Sequence, residues 1–377
     1  MTPKPWLLVP IVSALTGALQ AAPPVMEMIG TRMRAFVEAK EIPGAVTLVA
    51  DGEKILHLSA TGLADIGKNQ PMAPDSIFWI ASMTKPVTAT AVMMMQEEGK
   101  LSVDDPVSKY LPEFTGDKAA ITLKQCLTHT SGLSDLKPDE VGSIVTLAEL
   151  MPPVVAKPLL FPPGSKWQYC QTGINTAARI VEVVSGKTFP EFLQERLFGP
   201  LGMKDSSFYP VEAQLPRIVP AYNRTAAGEL EKAEWPFLHG KSPAARDRYP
   251  MANGGLFSTA PDYARFAQMI LNGGELDGKR YLKSESVKQM TTVQTGDLVT
   301  GFTPGSAWGL GWSIVREPQG VSAALSPGSF GHGGKNGTQA WIDPVRKRIY
   351  LLMIQRADIA NSDASGMRRE FQDAARP

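Results

Sequence analysis

Strand-like sequence lies at the two ends of this 377-residue chain, and helical sequence lies between. Near the start, "GAVTLVADGEKILHLSATG" reads as two strands around the Asp51-Gly52 turn. From Trp308 onward, "WGLGWSIV", "GTQAWIDP" and "RIYLLMIQR" are apolar, β-branched runs between turns, which suggests antiparallel strands. Pairing the two ends into one sheet leaves the middle as an inserted helical domain. The expected class is therefore α+β, an antiparallel sheet flanked by helices plus a mostly helical insertion. The boundaries read as 23–84 with 251–377 for the sheet domain and 85–250 for the insertion. The seam between two such domains is a common place for a ligand pocket.

Helical periodicity fills in the rest. Ile29, Met33, Phe36 and Val37 fall on one face of a helix over 25–39. "DYARFAQMILNGG" reads as a helix capped by Asp262 and stopped by Gly273-Gly274. "SGMRREFQDAAR" near the end is helical, with Met367 and Phe371 four apart. Met93, Met94 and Met95 continue a long apolar run after Phe78, a pattern of central helix packing.

Bulk properties exclude several classes. The length suits two subdomains, or one large domain with an insertion. A net charge of +1 gives no electrostatic case for nucleic acid or an anionic membrane surface. The four histidines (His57, His129, His239, His332) are scattered and no Cys/His cluster has zinc-ligand spacing, so neither a metal nor a cofactor is expected. The two cysteines, Cys126 and Cys170, allow one disulfide, but the apolar neighbours of Cys126 favour a buried free thiol. Residues 1–22 have one lysine, an apolar stretch from Trp6 to Leu19, then small residues, the outline of a secretory signal peptide cleaved near Ala21 or Ala22. Pro10 and the short length argue against a membrane span. The expected location is secreted or periplasmic.

"FWIASMTKPVTATAVMMMQEEGK" puts Ser82 three residues before Lys85 at the mouth of the apolar run. Positions three apart share a helix face. A serine at a helix start lies among N–H groups that the helix leaves without acceptors, at the positive end of the dipole. Pro86 supports a start near Ser82, because proline fits a first turn. A serine nucleophile needs a base, and a lysine serves if burial lowers its pKa. The competing reading is a serine cap with a chance lysine, and the pair alone does not separate the two.

Further segments do. "LTHTSGL" begins at Leu127, "PPGSKWQYCQTGINTAARIVEVVSG" at Pro162, "NGGLFSTAPDYARF" at Asn253, "WGLGW" at Trp308 and "FGHGGKNGTQAWIDP" at Phe330. In this order and with these gaps the chain resembles the serine β-lactamase superfamily. The branch it is most similar to comprises class C β-lactamases, D-alanyl-D-alanine carboxypeptidase relatives and family VIII carboxylesterases. The resemblance implies a β-lactamase/transpeptidase-like fold and assigns roles by position. Ser82 would be acylated, and Lys85 would share its proton. Tyr169 would be the general base, its phenol pKa lowered by lysine. The N–H groups of Ser82 and Lys335 would form an oxyanion hole. Gln171, His332, Gly333 and Gly334 would contact substrate. His129 receives no chemical role, and Trp308 and Trp312 fill core or pocket wall.

Two departures shift the expected substrate. Gln171 stands where the family motif has asparagine. His332 stands where it has a lysine, and histidine is mostly neutral at pH 7. The run Lys335–Gly337 is itself a Lys-x-Gly three residues along, which would put a cation back. The spacing of Gly331 and "GTQAWIDP" favours His332. The resemblance therefore implies a serine hydrolase acting on short-chain carboxylic esters through an acyl-enzyme. The alternatives are a β-lactamase, D-aminopeptidase or D-Ala carboxypeptidase, or a slowly acylating penicillin-recognising protein. The partner in the first case is a small-molecule ester.

Overall fold

A computed structural model describes residues 24–376. The proposed signal segment 1–22 lies outside the described residues. The first element, α1 (Pro24–Glu38), leads into β1 (Gly44–Ala50), β2 (Ile55–Asp65) and the short β3 (Gln70–Pro71). Five further strands come from the other end of the chain: β4 (Ser306–Trp308), β5 (Ser313–Val315), β6 (Phe330–Gly333), β7 (Gln339–Asp343) and β8 (Arg348–Met353). They form one eight-stranded sheet in the order β4-β5-β6-β7-β8-β1-β2-β3. The two ends meet at the antiparallel β1–β8 pair, in the register Val46↔Met353, Leu48↔Leu351 and Ala50↔Ile349.

Strand β1 is buried along its whole length, because helices cover both faces of the sheet. Its residues alternate between two cores, as a period of two requires. Ala45 and Val49 face one core, with Ile29 and Met33 of α1 and Met367 and Phe371 of the C-terminal helix Gly366–Ala374. Val46, Leu48 and Ala50 face the larger core, which holds α2 (Thr84–Glu97). Every residue of α2 from Thr84 to Met95 is buried, Met93–Met95 included. Its buried polar groups are satisfied inside the fold, Thr88 Oγ1 donating to the Ala252 carbonyl and Thr90 Oγ1 to the Pro86 carbonyl.

Four local expectations change. The helix α2 starts at Thr84 rather than Ser82, because Ala81–Met83 form a tighter 3-10 turn ahead of it. "WGLGWSIV" is two strands rather than one. Gly309–Trp312 turn between β4 and β5, with Gly311 at φ +74°, where a Cβ would lie 3.0 Å from the Lys85 carbonyl oxygen. The helix Ala260–Leu271 is capped by Thr259, whose hydroxyl accepts the Asp262 N–H. The buried Asp262 carboxylate instead reaches a different segment, accepting from the Asp205 N–H at 2.7 Å and from Ser206 Oγ. Finally, the mostly helical stretch up to residue 250 is interrupted by a hairpin as well as by loops, since Ala221–Arg224 and Leu230–Ala233 pair. Among the described residues no helix is long and apolar enough to cross a membrane.

Candidate active site

Ser82 sits in the 3-10 turn at the inner end of α2 and lines a deep cavity. The residue before it, Ala81, has φ +45°, a left-handed conformation that costs a side-chain-bearing residue on the order of 1–2 kcal/mol. Its surroundings hold it there. Thr338 Oγ1 donates to the Ile80 carbonyl at 3.3 Å, Tyr263 Oη donates to the Met83 carbonyl at 2.9 Å, and Trp79 Nε1 donates to the Gly254 carbonyl at 2.6 Å. The Met83 N–H closes the turn onto Ile80, so the Ser82 N–H comes before the first donor the turn uses.

Lys85 is fully buried and its Nζ meets three acceptors. These are Ser82 Oγ at 3.0 Å, Gln171 Oε1 at 2.8 Å and the Asn253 carbonyl at 2.8 Å. All three are uncharged. Burial therefore pulls the lysine down to about 7, with the more distant Asp135 and Asp363 opposing the shift. The chemistry of this shell is directional. Two of its members are amide oxygens that can only accept. An uncharged amine satisfies them with its two N–H groups and leaves its lone pair facing the serine hydroxyl.

Tyr169 and His332 form the other side. The His332 Nδ1–H donates to the Gly333 carbonyl at 2.7 Å, which fixes the tautomer and leaves Nε2 as an acceptor. The Tyr169 hydroxyl donates to that Nε2 at 3.4 Å. Burial first, and the Lys85 charge second, push His332 down to about 3, so the imidazole is neutral. The expectation that lysine lowers the Tyr169 pKa is overturned. Burial raises the phenol well above its ordinary value, and the hydrogen-bonding neighbour Ser82 opposes this only in part. Aromatic rings enclose the phenol: His129 at 4.5 Å, Phe302 at 4.8 Å and Trp308 at 5.9 Å between centroids. Lys85 Nζ lies 4.5 Å from the centre of the Tyr169 ring.

Gln171 faces inward. Its Oε1 is held inside by Lys85 and by Asn253 Nδ2 at 2.9 Å. The alternative register of the Lys-x-Gly run also resolves. His332 lies in β6 facing Tyr169, while Lys335 is exposed in the turn beyond the strand. Both following positions are crowded, Gly334 by backbone and Gly333 by side chains. A Cβ on Gly334 would come within 2.6 Å of the Ile80 carbonyl oxygen, and one on Gly333 would overlap the Asp363 carboxylate. His129 is buried with its Nδ1 against the Cys170 backbone, and both cysteines are buried and unbonded.

Three contributors were not legible in the sequence. Asp135 accepts the Gln171 and Thr172 N–H groups at 2.7 and 2.9 Å, capping the helix Gln171–Ser185 from a distant segment. Asn253 was read only as part of a glycine turn, yet its carbonyl holds Lys85. Asp363 is half-buried, with its Oδ1 enclosed beside Gly333 and unpartnered. Among the described residues no cluster of three metal-ligating side chains exists.

Ser82, Tyr169, Gln171, His332 and Lys335 all line one cavity of about 980 Å³. With this geometry in view, the β-lactamase family profile matches residues 30–375. The chain belongs to the β-lactamase family. It is 28% identical to Esterase EstB of Burkholderia gladioli over 352 residues, covering 84% of this chain and 87% of that protein. It is 33% identical to Penicillin-binding protein 4 of Amycolatopsis lactamdurans over 316 residues, covering 82% of this chain and 78% of that one. Among solved structures, EstCE1, described as a hydrolase with promiscuous acyltransferase activity, superposes with a TM-score of 0.80 at 23% identity, covering 94% of this chain and 98% of its own. The likeness to EstCE1 establishes the β-lactamase/transpeptidase-like fold.

Proposed function

We propose that this β-lactamase-family hydrolase cleaves carboxylic esters through an acyl-enzyme on Ser82. The observation that carries the reading is the uncharged hydrogen-bond shell of Lys85, which leaves an amine near neutrality facing the serine. In acylation, Ser82 Oγ attacks the ester carbonyl and its proton passes to the Lys85 lone pair. The carbonyl oxygen becomes an oxyanion between the N–H groups of Ser82 and Lys335. Tyr169, kept protonated by burial, donates to the departing alkoxide, and the proton on Lys85 restores the phenol. Water then attacks the acyl group by the reverse path. Esters are favoured over acidic amides because His332 is neutral at the strand edge and offers no cation to a substrate carboxylate. A relative named as an esterase supports the same choice.

A β-lactam or peptide substrate is the second reading, favoured by Lys335 at the cavity edge and by a relative named as a penicillin-binding protein. The apolar stretch Trp6–Leu19 supports export, testable by the N-terminus of the mature protein. The deciding assay offers p-nitrophenyl acetate and butyrate, as short-chain esters, beside nitrocefin and a D-Ala-D-Ala peptide, with Ser82→Ala as control. Fast ester turnover with negligible β-lactam turnover supports the first reading, and the reverse overturns it. Fluorophosphonate labelling that disappears in Ser82→Ala excludes a binding-only role.

A further inference from the structure

The cavity over Ser82 is larger than a short-chain ester needs. Its volume of about 980 Å³ lies at the top of the roughly 300–1,000 Å³ range of small-molecule sites. Two apolar walls shape it. One is aromatic. Phe237 stacks on Trp79 with centroids 4.4 Å apart and planes 26° apart, and Trp235 stands edge-on to Phe257 at 5.7 Å. Trp79, Trp235 and Phe237 all line the cavity, and the last two are only half-buried, so their apolar surface is left facing it. The other wall comes from the helical part of the chain, through Leu136, Val141, Ile144 and Leu150. Charge gives no preference. The lining holds two acidic groups, Glu234 and Asp363, and two basic ones beside the buried catalytic amine, Arg248 and Lys335.

Unfilled apolar surface of this extent inside a cleft marks a ligand-binding wall. Planar rings on one side and branched aliphatic groups on the other suit a flat, ring-bearing body. We infer that the substrate of this site is a bulky, ring-bearing, uncharged ester, whose apolar body lies between the two walls while its ester bond meets Ser82. This inference rests on the acyl-enzyme reading above. Short-chain esters would be accepted but would leave most of the cavity unfilled.

The test compares pairs with matched leaving groups. Phenyl acetate and biphenyl-4-yl acetate place the added ring on the alcohol side. The p-nitrophenyl esters of acetic and 2-naphthylacetic acid place it on the acyl side. Extra apolar contacts in a hydrophobic pocket separate substrates by about 10-fold or more in kcat/KM. The bulky ester is therefore expected to lead its small partner by at least that factor in one pair, through a lower KM. Val141→Trp, which fills the cavity, and Trp235→Ala, which removes part of the aromatic wall, should each reduce that lead. Small esters equal to or better than bulky ones in both pairs would overturn the inference while leaving the acyl-enzyme intact. No turnover of any ester, with no fluorophosphonate label on Ser82, would instead sink the underlying reading.

Discussion

The protonation of Lys85 is readable from the pH dependence of ester turnover. Lys85 sits at about 7, so roughly half of it is neutral at pH 7 and about 1% at pH 5. If the neutral amine takes the Ser82 proton, kcat/KM for an uncharged ester climbs tenfold per pH unit and levels off above about pH 7. The sign follows from the group: raising the pH removes a proton from the amine and creates the active form. The other candidates are well separated. His332 sits at about 3 and would put the limb there, and Tyr169, held well above its ordinary value, would keep the rate rising past pH 10. Gln171→Glu then moves the limb. It puts a carboxylate where the amide oxygen now accepts from Nζ at 2.8 Å. An opposite charge at that range raises a lysine pKa by about 1–3 units, which shifts the limb to about 8–10 and lowers the rate at pH 7 roughly 5- to 500-fold. Gln171→Asn should leave the limb near 7. The assay is initial-rate hydrolysis of p-nitrophenyl acetate from pH 5 to 9.5 at constant ionic strength, corrected for spontaneous hydrolysis. A wild-type profile flat across that range, or an unmoved limb in Gln171→Glu, would refute the assignment of Lys85 as proton acceptor.

Three further outcomes are expected. Tyr169→Phe should lose about 10²–10⁴ in kcat with the acid limb still near 7, whereas near-wild-type rates would remove the phenol from the mechanism. Lys85→Met should abolish turnover yet stabilise the fold. Burial holds Lys85 below its unfolded value of 10.5, so its cost to folding is full below pH 7 and fades as pH rises toward 10.5. Urea titrations should therefore show a larger gain at pH 6 than at pH 9, and equal gains would count against a depressed amine. Gly333→Ala should cost about 1–3 kcal/mol, because its Cβ overlaps the Asp363 carboxylate and comes within 2.6 Å of Gln339 Nε2. A wild-type denaturation midpoint would show that the wall at Gly333 yields freely.

The sheet was readable because both of its halves are apolar runs bounded by turns, and the buried helix because of its apolar run through Met93–Met95. The meeting of Ser82, Lys85 and Tyr169 was readable only from the order and spacing of several motifs together. What escaped has a common physical origin. Asp135 caps the helix Gln171–Ser185 from 36 residues upstream, and a capping pattern is visible only when cap and helix are adjacent in sequence. Asn253 acts through its backbone carbonyl, which any residue type carries. The phenol of Tyr169 was assigned a lowered pKa from a nearby cation, but the sign of a shift depends on burial, and burial is a property of the folded chain.

Burial also explains how one site holds a lysine near neutrality beside a neutral histidine. A carboxylate in the Lys85 shell would lock the amine in its charged form, and a cation at position 332 would compete for the same field. Neither is present: the shell is made of two amide oxygens and a hydroxyl, and the His332 tautomer is fixed by the Gly333 carbonyl. Asp135 and Asp363 lie close enough to oppose the shift of Lys85 but do not hydrogen-bond to it. The amine is thus left near neutrality by burial among uncharged acceptors, with no carboxylate bonded to it. A carboxylate introduced into the Lys85 shell should therefore raise the amine's pKa, and a cation at position 332 should lower it further.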